Sequence, residues 1–129
     1  MLNHEVAARR MVSDIVYAYR MIQGDGESPA SLRAFCAALN EALAAYQMSI
    51  VHQTVKNWED RRSLPAVYIL GALRRNATDW RRDFAIDLLS ALMPETIAPV
   101  TDVGRRALAR SRMDTGPLKT RYGDWWMGE

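Results

Sequence analysis

Apolar residues recur near the start of the chain at spacings of four, three, four and three: Ala8, Val12, Ile15, Tyr19 and Ile22. That period is a helix with one apolar stripe, and it predicts a helix over 3–23 capped by Asn3. The run GDGESP at 24–29 interrupts it with two glycines and a proline. Ser28 then Pro29 predicts the next start, a capping hydroxyl followed by proline at the first helical position. Leu32, Phe35, Cys36, Leu39 and Leu43 share a face of this second helix, which the pattern carries to about Gln47. A short break near Met48–Ser49 precedes a third helix over 50–59. After the loop DRRSLP at 60–65, Pro65 opens a fourth helix to about Arg75, with Val67, Leu70 and Leu73 inward.

Thr78 is the expected cap of a fifth helix, on which Trp80, Phe84, Leu88 and Leu92 fall to one side. Pro94 and Pro99 mark another break, and Thr101 is placed to cap a sixth, Arg-rich helix, VGRRALARSR. Gly116-Pro117 then leads into an extended tail with Trp125 and Trp126. No strand period exceeds four or five residues, and there is no internal repeat. The expected fold is all-α. A multi-helix domain occupies 1–93; a C-terminal helix and tail at 94–129 form an oligomerisation or partner-binding arm.

Composition adds little until the bases are sorted by type. The chain has 129 residues, 49% hydrophobic and 25% charged, with a formal net charge of +2. Fifteen of the 17 basic residues are Arg, leaving only Lys56 and Lys119. Arginine's planar fork suits phosphate and base edges, although a GC-rich genome explains the same excess. The lone cysteine, Cys36, sits in an apolar pattern and is expected to be a buried, inert thiol. The N-terminal stretch lacks the apolar core of a secretory signal, and no run is long enough to span a bilayer. A cytoplasmic protein with no membrane partner is expected. With His4 and His52 the only histidines, no metal site and no cofactor are expected.

The functional signal lies in Glu41–Asp60, EALAAYQMSIVHQTVKNWED. Ala45 is small where two helices would cross closely. Met48 is the apolar close of the first, Ser49 the turn, and Ile50 the apolar residue after it. Val55 and Trp58 point back inward, together with Val51, by the i, i+4, i+7 rule. This window resembles the twenty-residue helix-turn-helix of the Cro/repressor-like (XRE-type) DNA-binding family, and the resemblance extends over about residues 31–75. WEDRRSLP is similar to the family's Trp-Glu-Asn-Gly-x-x-x-Pro segment: Trp58, Glu59 and Pro65 match, and Asp60 replaces Asn. Arg61 stands where the family has a glycine of positive φ, with Asp60 the alternative carrier of a left-handed residue. The helix before the turn is also longer than usual.

The resemblance implies that His52, Gln53 and Asn57 face base edges in the major groove, with Lys56 beside them on the outward face. Gln and Asn suit adenine; His and Lys donate to guanine. Ser49, Thr54 and the backbone at the helix start reach phosphate, and Arg61 and Arg62 are placed to clamp the backbone. The bland alternative is an ordinary solvated helix face. In the family the Glu at position 59 pairs with an Arg from the first helix, a role open here to Arg20 or Arg33. An exposed Glu at a helix end is the other reading.

Asp79, Asp83 and Asp87 look like a catalytic acid row, but they alternate with Arg81 and Arg82 and read as a solvated face. No phosphate-binding glycine motif occurs, so an enzyme is not expected. The expectation is a sequence-specific regulator of transcription that binds double-stranded DNA as a homodimer or larger oligomer, through the fifth helix or the C-terminal arm. The alternatives are a phage-type packaging (small terminase-like) or architectural DNA-binding oligomer, and a protein-interaction module without DNA binding.

Overall fold

The computed structural model describes residues 2–25, 27–44, 48–74, 79–113 and 125–127. All regular structure among them is helical: α1 (Leu2–Gln23), α2 (Leu32–Glu41), α3 (His52–Glu59), α4 (Ala66–Arg74), α5 (Trp80–Leu92), α6 (Asp102–Met113) and a short 3₁₀ turn at Trp125–Met127.

α1 is the axis of the fold. Every residue from Met11 to Tyr19 is buried, because α3, α5 and α6 all pack against it. Surrounded on all sides, α1 has no single apolar stripe. Ser13 and Asp14 are inside with Val12, Ile15 and Val16, while Ile22, expected inward, is 46% exposed. The helix begins at Leu2, so Asn3 lies within it rather than capping it. The next start also shifts. Ser31, not Ser28, caps α2, its hydroxyl accepting from Ala34 N at 3.0 Å. Pro29 and Ala30 instead form a link fastened to the end of α1: Ala30 N donates to Arg20 O, and Arg20 Nε donates to Ala30 O.

An aromatic cluster fills the space between α1, α2, α4 and α5. Phe84 is its centre, with ring centroids 4.8 Å from Tyr19, 5.5 Å from Phe35 and 5.6 Å from Tyr68. Tyr68 fixes the rotation of α4. Its ring also packs 6.0 Å from Trp58, which turns Tyr68, Ile69 and Ala72 inward and leaves Val67 and Leu70 58% and 63% exposed. Of the expected Val67–Leu70–Leu73 face only Leu73 packs on the core; the helix is rotated away from the other two because a pair of large rings outweighs two aliphatic side chains in buried area.

α5 is capped by Asp79, whose carboxylate accepts from Arg81 N at 3.0 Å; Thr78, the expected cap, lies outside the described residues. Trp80, Phe84, Leu88 and Leu92 face the core as expected. Asp87 does not face solvent. It is fully buried and accepts from Tyr19 Oη at 2.9 Å, Thr101 Oγ1 at 2.6 Å and Val100 N at 2.8 Å. Three donors compensate the loss of water. Thr101 caps α6 by accepting from Gly104 N at 3.0 Å. A Cβ on Gly104 would stand 2.6 Å from the Asp87 carboxylate, so the close approach requires glycine.

α6 lies along α1 and contributes Ala107 to the core. The terminal aromatic pair returns to the same chain. Trp126 is buried against Tyr17, Ala18 and Met21, Arg106 donates to Trp126 O at 3.0 Å, and the Arg110 guanidinium lies 4.7 Å from the Trp125 ring centroid. The apolar side of α5 likewise packs within the chain. No helix among the described residues is long and apolar enough to cross a membrane.

Candidate nucleic-acid interface

The connection into α3 is longer than the short break expected near Met48–Ser49. α2 stops at Glu41, and α3 starts at His52. Ala42 N and Leu43 N donate three residues back, to Leu39 O and Asn40 O. This tightening ends the helix and drops Leu43 into the core, against the open face of Gly71. Arg81 secures the same end from α5, donating to Ala38 O and Glu41 Oε1, each at 2.6 Å. The continuation of the helix to Gln47 is therefore corrected, and so is a turn confined to Met48–Ser49. Ala45, assigned to the helix crossing, lies outside the described residues. Met48 and Ile50 are half-buried and pack on the core.

α3 starts without a side-chain cap. Val51 is the N-cap in extended conformation and is 62% exposed, so its inward assignment fails: it precedes the helix whose phase was applied to it. From Val55 onward the phase is as expected. Val55, Trp58 and Glu59 are buried.

Side chains of α1 hold α3 and the loop that follows it. Arg20 NH1 donates to both Glu59 carboxylate oxygens, at 2.7 and 2.8 Å, with both side chains nearly buried. Arg20 is thus the partner, and Arg33 remains exposed on α2. Ser13 Oγ donates to Glu59 O at 2.5 Å. Arg9 NH1 donates to Arg61 O at 3.2 Å and to Arg62 O at 2.5 Å.

Arg61 itself adopts the left-handed conformation, φ 64°, and Asp60 does not, at φ −88°. Arg61 N donates to Trp58 O and Arg62 N to Asn57 O, at 3.2 and 2.8 Å. Those paired bonds make a Schellman closure with Arg61 in the position that usually holds glycine. Pro65 is buried and accepts from Ile69 N, opening α4.

The opposite face of α3 carries the expected reading residues. Gln53 and Lys56 are exposed; His52 and Asn57 are half-buried on the same strip. Two i, i+4 pairs run along this face. Gln53 Nε2 donates to Asn57 Oδ1 at 2.9 Å, and Lys56 Nζ donates to Asp60 Oδ2 at 2.8 Å. Ser49 is exposed just before the helix, Thr54 is half-buried in its first turn, and Arg62 is exposed beyond its end. A groove of about 230 Å³ beside the helix start is lined by Arg33, Cys36, Asn40, Ile50, Val51 and His52. Cys36 is buried, burial pushes its thiol pKa up, and its Sγ donates to Ile50 O at 3.2 Å.

Arg9 and Asn40 escaped the sequence reading. Both act on backbone carbonyls far along the chain, and no periodicity marks such a partner. No group of His, Cys, Asp and Glu placed to hold a metal occurs among the described residues. Comparison with family models, characterised proteins and solved structures returned no match.

Proposed function

We propose that the chain is a sequence-specific DNA-binding protein, a transcriptional regulator of Cro/repressor type, that reads the major groove of double-stranded DNA with α3. The observation that carries this reading is the division of α3. Its buried side is fixed to α1 by Arg20–Glu59, while His52, Gln53, Lys56 and Asn57 project together from a rigid support. A helix offered to a groove needs that combination, because base readout depends on side chains whose base of attachment does not move. Ser49, Thr54, Arg61 and Arg62 flank the strip and serve the phosphates.

An eight-residue reading helix spans few base pairs, so the chain acts as a dimer or higher oligomer on repeated half-sites about 34 Å apart. The test is selection of bound duplexes from a random pool, followed by affinity measurements across a salt series. A defined consensus and a log–log salt slope of about −0.9 per phosphate neutralised are expected. Binding to no duplex at low salt overturns the reading.

A further inference from the structure

Where α1, α5 and α6 converge, small side chains leave space between the helices. α1 supplies Ala7, Ala8 and Met11, α5 supplies Ala91, and Pro94 and Leu108 complete the apolar walls of a hollow of about 290 Å³. That volume lies at the lower end of the range for pockets that take small molecules. Water between such walls finds few of the polar partners it needs, and an apolar ligand gains by displacing it.

Two lining residues are polar, and they differ. Ser111 is satisfied by its neighbours: its hydroxyl donates to Leu108 O at 2.8 Å, and its carbonyl accepts from Arg10 NH1 at 3.3 Å. Arg112 is exposed at the lining. Arg110, two residues earlier, is spent on Asp14 and the Trp125 ring. Arg112 has no carboxylate partner among the described residues, and no Asp or Glu lines the hollow.

We propose that this hollow binds a medium-chain aliphatic carboxylate, with the alkyl chain laid among Ala7, Ala91 and Leu108 and the carboxylate held by Arg112. A guanidinium gives a carboxylate two parallel N–H donors. The last carbonyls of a helix carry partial negative charge that repels an anion; at the end of α6 the bond from Arg10 covers one of them, Ser111 O. No aromatic side chain lines the hollow to stack on a ring, which favours an alkyl chain over an aryl group.

Isothermal titration of the full chain with hexanoate, octanoate and decanoate, each below its micelle-forming concentration, tests the site. One-site binding should tighten about fourfold per added methylene. Octanol, which lacks the charge, should bind about tenfold or more weakly than octanoate, and octylamine more weakly still. Arg112→Met keeps an apolar stem without the guanidinium and should bring octanoate down to the level of octanol. Ala7→Leu fills the hollow and should abolish uptake of both, while circular dichroism shows the helical fold kept. Octanoate affinity unchanged in Arg112→Met or in Ala7→Leu overturns the assignment. So does the absence of saturable binding; if Ala7→Leu then also changes the mass per assembly in light scattering, the hollow belongs to a second copy of the chain.

Discussion

Asn40 and Ile50 exchange two hydrogen bonds across the α2–α3 connection: Asn40 Nδ2 donates to Ile50 O at 2.9 Å, and Ile50 N donates to Asn40 Oδ1 at 2.8 Å. A side-chain amide here does what a partner strand's peptide would do. It fixes the start of α3 relative to the end of α2 although ten residues separate the two. Asn40→Ala removes both bonds from a half-buried site. The expected cost is about 1–3 kcal/mol in urea denaturation, with faster amide exchange at Ile50. An unchanged midpoint would show that the connection is held elsewhere.

Arg20 and Glu59 form a nearly buried pair, with side chains 11% and 10% exposed. Removing one partner leaves the other charged and without its counter-ion in a poorly solvated place. Arg20→Ala should destabilise by about 3–5 kcal/mol. Replacing both by methionine should cost less than the two single changes together, because neither charge is then stranded. A double-mutant cycle in guanidinium checks the coupling.

Arg61 holds a left-handed conformation that costs a non-glycine residue about 1–2 kcal/mol. Arg61→Gly keeps the Schellman closure and removes that strain, so thermal stability should rise by about 1 kcal/mol. The same change should weaken DNA binding and reduce the salt slope by about 1, as expected for loss of a phosphate contact. Opposite signs in the two measurements would mark a residue retained for its charge at the expense of backbone fit.

Burial raises the pKa of Tyr19 and Tyr68, and at Tyr19 the neighbouring Asp87 carboxylate adds to the rise. A phenol whose folded pKa lies above its unfolded value contributes stability that is complete below the unfolded pKa. That stability is lost as pH rises past it, because the unfolded chain releases protons the folded one retains. The melting temperature should therefore fall as pH climbs above about 10. Phenolate absorbance of Tyr19 and Tyr68 should appear only together with unfolding. Titration of every tyrosine before any loss of helicity would contradict their burial.

Trp126 docks on Tyr17, Ala18 and Met21 of its own chain. Trp126→Ala should cost about 3 kcal/mol of stability and leave the mass per assembly in light scattering unchanged. A drop in oligomer size would instead place the tail on a neighbouring subunit.

The sequence by itself determined the helical class, most helix positions and the phase of the strongest segments. Their apolar residues recur at a local period that needs no knowledge of the partner: Val12–Ile15–Tyr19, Phe84–Leu88, and Val55–Trp58 were legible for that reason. The family resemblance also offered Glu59 an arginine partner, Arg20 or Arg33, but left open the reading of an exposed Glu at a helix end. Tertiary structure decided what depends on residues distant in the chain. It buried Asp87 by bringing Tyr19 and Thr101 to it, rotated α4 by setting Tyr68 between Trp58 and Phe84, and chose Arg20 over Arg33. It ended α2 early so that Leu43 could reach Gly71, and forced Arg61 into the left-handed turn because Arg9 and the last carbonyls of α3 hold both sides of it. The physical reason is the same in each case. Periodicity reports how one helix divides its own faces, whereas a buried charge, a helix end or a strained residue is settled by the sum of partners that only the packed chain supplies.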